Sequence, residues 1–374
     1  MHIAIITNQT PLNYGANLQA YALQTYLEKQ GCEAEVIDYA PDYYTDHLSL
    51  KHVGDPKFKK HFLLRWAYIF YKLPSRWRRI NNFAGFQKHY LHLTARRYKS
   101  YDELLGYPPE ADGYIVGSDQ VWNTHGTRGY NPAFYLEFVK DSAKRASYAA
   151  SMAIDTPISD RVKRDVFPMI NKLQHVSVRE SMTIDIIQPY VNKKIHHVLD
   201  PVYLLSADDW NRFTGMSDSK EGNYILIYPM GDGKDVVEKA NVLAKHTGLP
   251  IYCISASKRS FPGVAKRFDC SVVKFVELFA KARYIVTDSF HGTSFSIIYR
   301  KVFWTCEVGH NNHRLVSLLQ GFGLESRYVA KGEQIDATAL SVDYALAEPC
   351  VKEAIAHSKA YLGMVIDDMK SEKK

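Results

Sequence analysis

The segment Thr287-Asp288-Ser289-Phe290-His291-Gly292-Thr293-Ser294 concentrates groups that could do chemistry. It follows a short apolar run, Tyr284–Thr287, and leads into a helical pattern, so His291 falls near a helix N-terminus. There the helix dipole disfavours a cationic ring, which makes His291 the candidate general base. Gly292 lets a ligand approach the backbone, while Ser289, Thr293 and Ser294 offer hydroxyl donors. A lone histidine is usually structural; the small polar neighbours at a strand end favour a functional one. Further on, Asn311-Asn312-His313-Arg314 opens another helix, and Arg314 is a candidate anion clamp.

Three other segments follow strand-like runs. Asn8-Gln9-Thr10-Pro11-Leu12-Asn13-Tyr14-Gly15-Ala16-Asn17 precedes a helix whose first amides favour an anion, which marks Asn13, Tyr14 and Gly15. Its spacing is not GxGxxG, so a dinucleotide is a poor fit. Gly117-Ser118-Asp119-Gln120-Val121-Trp122-Asn123 suggests a sugar-sized pocket, with Ser118 and Asp119 as polar contacts and Trp122 as a stacking face. A tight turn with Ser118 or Asp119 as a helix cap is the competing reading. In Ser177-Val178-Arg179-Glu180-Ser181, Arg179 could grip a carboxylate or phosphate, or form a structural salt bridge to Glu180 or Asp200.

The elements that must position these groups alternate between strand and helix, which argues for parallel sheets with crossover helices. Strands are expected at 2–6, 33–37, 113–116, 146–149, 175–178 and 197–199, then at 224–228, 251–254, 284–287 and 302–305. Helices are expected near 18–29, 234–246, 273–282 and 292–299, with a connecting helix around Trp210. A length of 374 residues favours two domains. The first spans 1–205, the second 206–345, and the segment 346–374 is a helix expected to pack back on the first domain. A cleft between the strands' carboxyl ends is the natural ligand site.

A hydrophobic content of 46% with 23% charge excludes disordered and fibrous classes. No apolar stretch approaches the roughly 18 residues needed to cross a bilayer. The five cysteines are scattered without a CxxC pair, which argues against a disulfide framework or zinc knuckle and for a reducing cytoplasm. Much of the +7 charge lies in 57–97, which holds eleven Lys and Arg, interleaved aromatics and no Asp or Glu. This basic insertion could be a solvated helix, or could contact an anionic membrane surface. No nucleic-acid motif accompanies it, so nucleic acid is not an expected partner.

Taken together, NxGANLQAYALQ, GSDQVWN, SVRE, LDPVYLL and DSFHG resemble, in order and spacing, the polysaccharide pyruvyl transferase family, over about residues 3–327. The resemblance implies an α/β fold of two Rossmann-like domains facing a central cleft, similar to GT-B glycosyltransferases. It implies transfer of pyruvate from phosphoenolpyruvate to two hydroxyls of a sugar as a cyclic ketal, in surface polysaccharide biosynthesis. By that resemblance His291 matches the catalytic histidine and Arg179 the arginine that holds the donor. Where family members carry basic residues just before the histidine, this chain has Ser289 and Phe290, so Arg314 or Arg283 would supply that charge.

On this reading the donor side comprises Arg179, Arg314, Ser289, Gly292 and Thr293, and the acceptor side Asn13, Tyr14, Gly15, Ser118, Asp119 and Trp122. Phosphoenolpyruvate is a co-substrate that calls for cations and does not of itself require a metal or other cofactor. The acceptor sugar could be lipid-linked, reached at the inner face of the membrane. A nucleotide-sugar glycosyltransferase would instead bind its base near 228–233 and Ser255. A non-catalytic carbohydrate- or membrane-binding protein would use Arg76, Arg78 and Arg79.

Overall fold

The computed structural model describes residues 1–371 apart from 46–47, 54–55, 125–128, 154–157, 218–220, 257–260 and 310–311. Asn311 therefore lies outside the described residues, as do 372–374. The apolar runs become strands of two parallel sheets. The first holds β1 (His2–Ile6), β2 (Glu33–Tyr39), β3 (Leu93–Tyr98), β4 (Gly113–Val116) and β5 (Lys144–Ser147), in the order β3-β2-β1-β4-β5. A short pair, β6 (Val176–Val178) and β7 (Ile195–His197), extends it through bridges from Ala146 to His175 and from Ala150 to Val178.

The second sheet holds β8 (Ile225–Tyr228), β9 (Ile251–Ile254), β10 (Val264–Phe268), β11 (Tyr284–Thr287), β12 (Val302–Cys306) and β13 (Tyr328–Val329). Its order is β10-β9-β8-β11-β12-β13, the doubly wound arrangement in which ligands bind at the carboxyl edge. Helices cover both faces, so β8 and β11 are buried throughout and read as unbroken apolar runs.

Three helices join the two halves. Tyr14–Lys29 starts at Asn13, whose side chain accepts from the Ala16 N–H. Tyr14 is core: its ring stacks on Phe275 at 4.5 Å, and its hydroxyl donates to the Cys270 carbonyl at 2.8 Å. The helix Phe62–Tyr90 carries most of the basic insertion and buries Ile69, Phe83 and Phe86. The insertion thus ends as helix at Tyr90, and Leu93, Arg96 and Arg97 belong to the edge strand β3. Arg79 ties this helix to both halves through the Leu12 carbonyl at 2.7 Å and Asp269 at 3.4 Å.

The C-terminal helix, Tyr344–Lys370, begins against the second domain, where the Tyr344 hydroxyl donates to the Lys301 carbonyl at 2.7 Å. Its far end lays Tyr361, Leu362, Val365 and Ile366 on Ile3, Ile5 and Ile115 of the first sheet. No helix among the described residues is long and apolar enough to cross a membrane.

Candidate active site

β11 delivers the histidine. Ser289 caps the helix Phe290–Ile298 by accepting from the Gly292 N–H at 3.3 Å, which fixes His291 in the first turn. Gly292 is packed on Thr287, whose Oγ1 would lie 2.5 Å from any Cβ there. The Thr293 hydroxyl is buried and shares a hydrogen bond with Thr305 at 2.9 Å. Ser289, Gly292 and Thr293, expected on the donor side, thus build the helix start that holds His291.

His291 points across the cleft at the first domain. A Cβ on Gly15 would sit 2.0 Å from its Nδ1, so the imidazole occupies the space that the absent side chain leaves. Its Nε2 lies 3.7 Å from Asp200 Oδ2, an ion-pair distance longer than a hydrogen bond. Asp200 follows β7 and also begins the turn Pro201–Leu204 by accepting from the Val202 N–H. The same Oδ2 accepts from Ser118 Oγ at 3.1 Å and from Arg179 Nη1 at 3.0 Å. Burial alone would raise the Asp200 pKa, but His291 and Arg179 more than offset it and hold the group below the usual carboxylate range.

Arg179 forms both salt bridges that its sequence context allowed. Nη1 donates to Asp200 and Nε to Glu180 at 3.1 Å, while the Ser151 hydroxyl donates to the same Glu180 oxygen at 2.7 Å. The guanidinium lies 4.5 Å from the centre of the Phe290 ring. Its Nη2 is buried with no hydrogen-bond partner among the described residues. Two carboxylates thus lock the arginine in place and leave one nitrogen uncommitted.

Arg314 is the second cation, in the first turn of the helix His313–Gly321. Burial, and then repulsion from Arg179, lower its pKa. Its Nε is likewise buried without a partner among the described residues. Both arginines, with Glu180, Asp200, Phe290 and Ser317, line a cavity of about 140 Å³. Arg283 stands before the first residue of β11, at the opposite end of the strand from His291. Of the two candidates for extra charge, Arg314 is the one at the site.

The acceptor candidates divide. Gly15 and Ser118 join the site, and Asp119 lies beside it, with a left-handed backbone (φ 71°) and its carboxylate accepting from Asn8 at 3.2 Å. Asn13 is the helix cap. Trp122 offers no stacking face: it is fully buried, its ring stacked on Tyr135 and its N–H donating to the Phe134 carbonyl at 2.8 Å. A larger cleft, about 870 Å³, opens at the carboxyl edge of the first sheet, with Gln120, Asn123, Tyr44, Tyr101 and Tyr130 on its walls.

A family model of polysaccharide pyruvyl transferases matches residues 13–310. This chain belongs to the polysaccharide pyruvyl transferase family.

Membership places it among transferases of polysaccharide biosynthesis. A comparison with curated protein sequences finds no significant match. Among solved structures, AviGT4, a glycosyltransferase involved in avilamycin A biosynthesis, superposes with a TM-score of 0.50 at 10% identity, over 100% of this chain and 99% of that one. A UDP-N-acetylglucosamine 2-epimerase from Rickettsia bellii gives 0.48 at 11% identity, over 98% and 96%. The E. coli heptosyltransferase WaaC gives 0.41 at 12% identity, over 95% and 100%. The superposition on AviGT4 and the two parallel sheets give this chain a GT-B-like fold, with His291, Asp200 and Arg179 gathered where the two domains meet.

Asp200 and Glu180 are the site residues that sequence reasoning treated only as competing partners of Arg179. Pro201 after Asp200 gives the pair the pattern of a turn former. The position of Asp200 shortly after a strand, in LDPVYLL, is the available signal.

Proposed function

We propose that the chain transfers pyruvate from phosphoenolpyruvate to two hydroxyls of one sugar, forming a cyclic ketal and releasing phosphate. The observation that carries this reading is the pairing of His291 from one domain with Asp200 of the other, beside two arginines that each keep a buried nitrogen without a partner among the described residues. Two cations that repel each other across a small cavity are stabilised by an anion between them. A compact donor with a carboxylate and a phosphate suits Arg314 and the Nη2 of Arg179.

In the reaction, a proton adds to the donor's methylene carbon and the C=C bond becomes C–C, which makes the neighbouring carbon electrophilic. A sugar hydroxyl attacks it and loses its proton. A second hydroxyl of the same sugar then attacks, the bond to the phosphate oxygen breaks, and the ketal closes. One hydroxyl proton balances the proton gained by carbon, and the other leaves with phosphate. His291 relays these protons, a role worth about 10²–10⁴-fold. Asp200 steadies the ring and stabilises it when protonated. The tyrosine-walled cleft beside Gln120 and Asn123 is assigned to the acceptor in place of Trp122.

The test is phosphate release from phosphoenolpyruvate with a panel of free, polymeric and lipid-linked sugars, followed by mass spectrometry. A product heavier by one pyruvate less one water supports ketal transfer. No release with any acceptor, together with thermal stabilisation by a nucleotide-sugar, would replace it with glycosyl transfer.

A further inference from the structure

The helix Phe62–Tyr90 is turned the wrong way round for water. Its inner face buries Ile69 and builds Phe83 and Phe86 into the core. At 100° per residue, a stripe over 62–77 that starts beside Ile69 and runs round to the outer side collects Phe62, Leu63, Trp66, Ala67, Phe70, Pro74 and Trp77. These are exposed: Phe62 by 73%, Leu63 by 80%, Phe70 by 66% and Trp77 by 58%. Phe62, Trp66 and Phe70 touch ring to ring, at 6.4 and 6.0 Å, so the patch is continuous. A solvent-facing helix surface is ordinarily polar, and an apolar patch of this kind marks a docking surface.

Charge selects what covers it. Exposed Arg65 and Arg78 flank the aromatic stripe on its two sides, and the whole segment 57–97 contains no acidic residue. A second copy docked on this face would set the same cations against one another with no acid in the segment to neutralise them. An anionic bilayer supplies both missing components, negative headgroups for the arginines and an acyl boundary for Trp and Phe rings.

We propose that the first half of this helix lies in the plane of an anionic membrane surface, with Phe62, Trp66, Phe70 and Trp77 at the level of the headgroups. The inner side of the same helix brings Lys72, Arg76 and Arg79 to a cleft of about 440 Å³ against Leu12 and Asp269, so the docked face and the domain junction are one helix apart. The inference stands on the helix alone and is independent of the reaction proposed above.

The experiment is co-sedimentation of the full chain with vesicles of neutral phosphatidylcholine, and of phosphatidylcholine mixed with phosphatidylglycerol. Binding should favour the mixed vesicles by about tenfold or more and weaken as salt rises. Tryptophan emission should shift blue on binding and be quenched by brominated acyl chains. The double variant Phe70→Ser, Trp77→Ser changes only exposed side chains, so it should melt as the parent does while losing vesicle binding. Arg65→Gln, Arg78→Gln should lose the preference for anionic lipid. Absence of vesicle binding by the parent chain would overturn the proposal, as would equal binding to both compositions. So would a self-associated species that the double serine variant makes monomeric while the parent ignores vesicles.

Discussion

Each residue of the His291 site has a partner whose removal gives a distinct signature. His291→Asn should cut turnover by about 10²–10⁴-fold while leaving the melting temperature near that of the parent, since the ring reaches across the cleft and is not buried in a core. Gly15→Ala should reproduce that loss by a different route, because the new methyl would meet the His291 ring 2.0 Å away. The two positions are then coupled: Gly15→Ala should destabilise the parent but not His291→Ala, which a double-mutant cycle in urea measures. Asp288 gives a pH signature. It is buried, its Oδ1 accepts from the Met230 N–H at 2.6 Å, and burial pushes its carboxyl up to about 7. The unfolded carboxyl ionises near 3.9, so between roughly pH 4 and 7 the unfolded chain has released a proton that the folded chain keeps. Stability should fall as pH rises through that window, by about 1.4 kcal/mol per pH step of one, and then level off. Asp288→Asn keeps an acceptor for Met230 and should lack the fall, which urea melts across pH would show. At this scale His291 was legible because small polar residues surround it at a strand end. Asp200 was legible only as a partner of Arg179, because Ser118 lies 82 residues away in the chain, His291 belongs to the other domain, and its own neighbour is a proline.

Elements were legible where burial makes them unbroken apolar runs. β1, β4, β8 and β11 are of that kind. β10 was missed because its middle, Ala265, Lys266 and Arg267, is exposed at the sheet edge, and β13 because it is two residues long. β3 was hidden in the run of basic residues, since an edge strand tolerates the charges that deter further pairing. Trp122 shows the converse error. A tryptophan between polar residues reads as a sugar platform, yet the loop turns its ring inward onto Tyr135. Trp122→Ala should therefore act on stability, by about 3–5 kcal/mol, and Trp122→Phe should retain normal affinity for the acceptor. Melting curves and acceptor KM for the pair separate core from binding roles.

For the molecule as a whole, alternation of strand and helix made two doubly wound domains readable, but nothing in the alternation says how the domains meet. That is decided by Tyr14 stacking on Phe275, by Arg79 bonding to both halves, and by the C-terminal helix crossing from Tyr344 in the second domain to the first sheet. These contacts are what bring His291 to Asp200 and Gly15. The reaction depends on that meeting, and so does the account. Its most direct test is transfer of radiolabelled pyruvate from phosphoenolpyruvate to an acceptor sugar pool by the parent chain and by His291→Asn, both shown to be folded. The account predicts label in an acid-labile ketal with the parent and a loss of at least about a hundredfold with the variant. Equal transfer by the two proteins would contradict it, because the histidine held between the domains would then have no part in the chemistry.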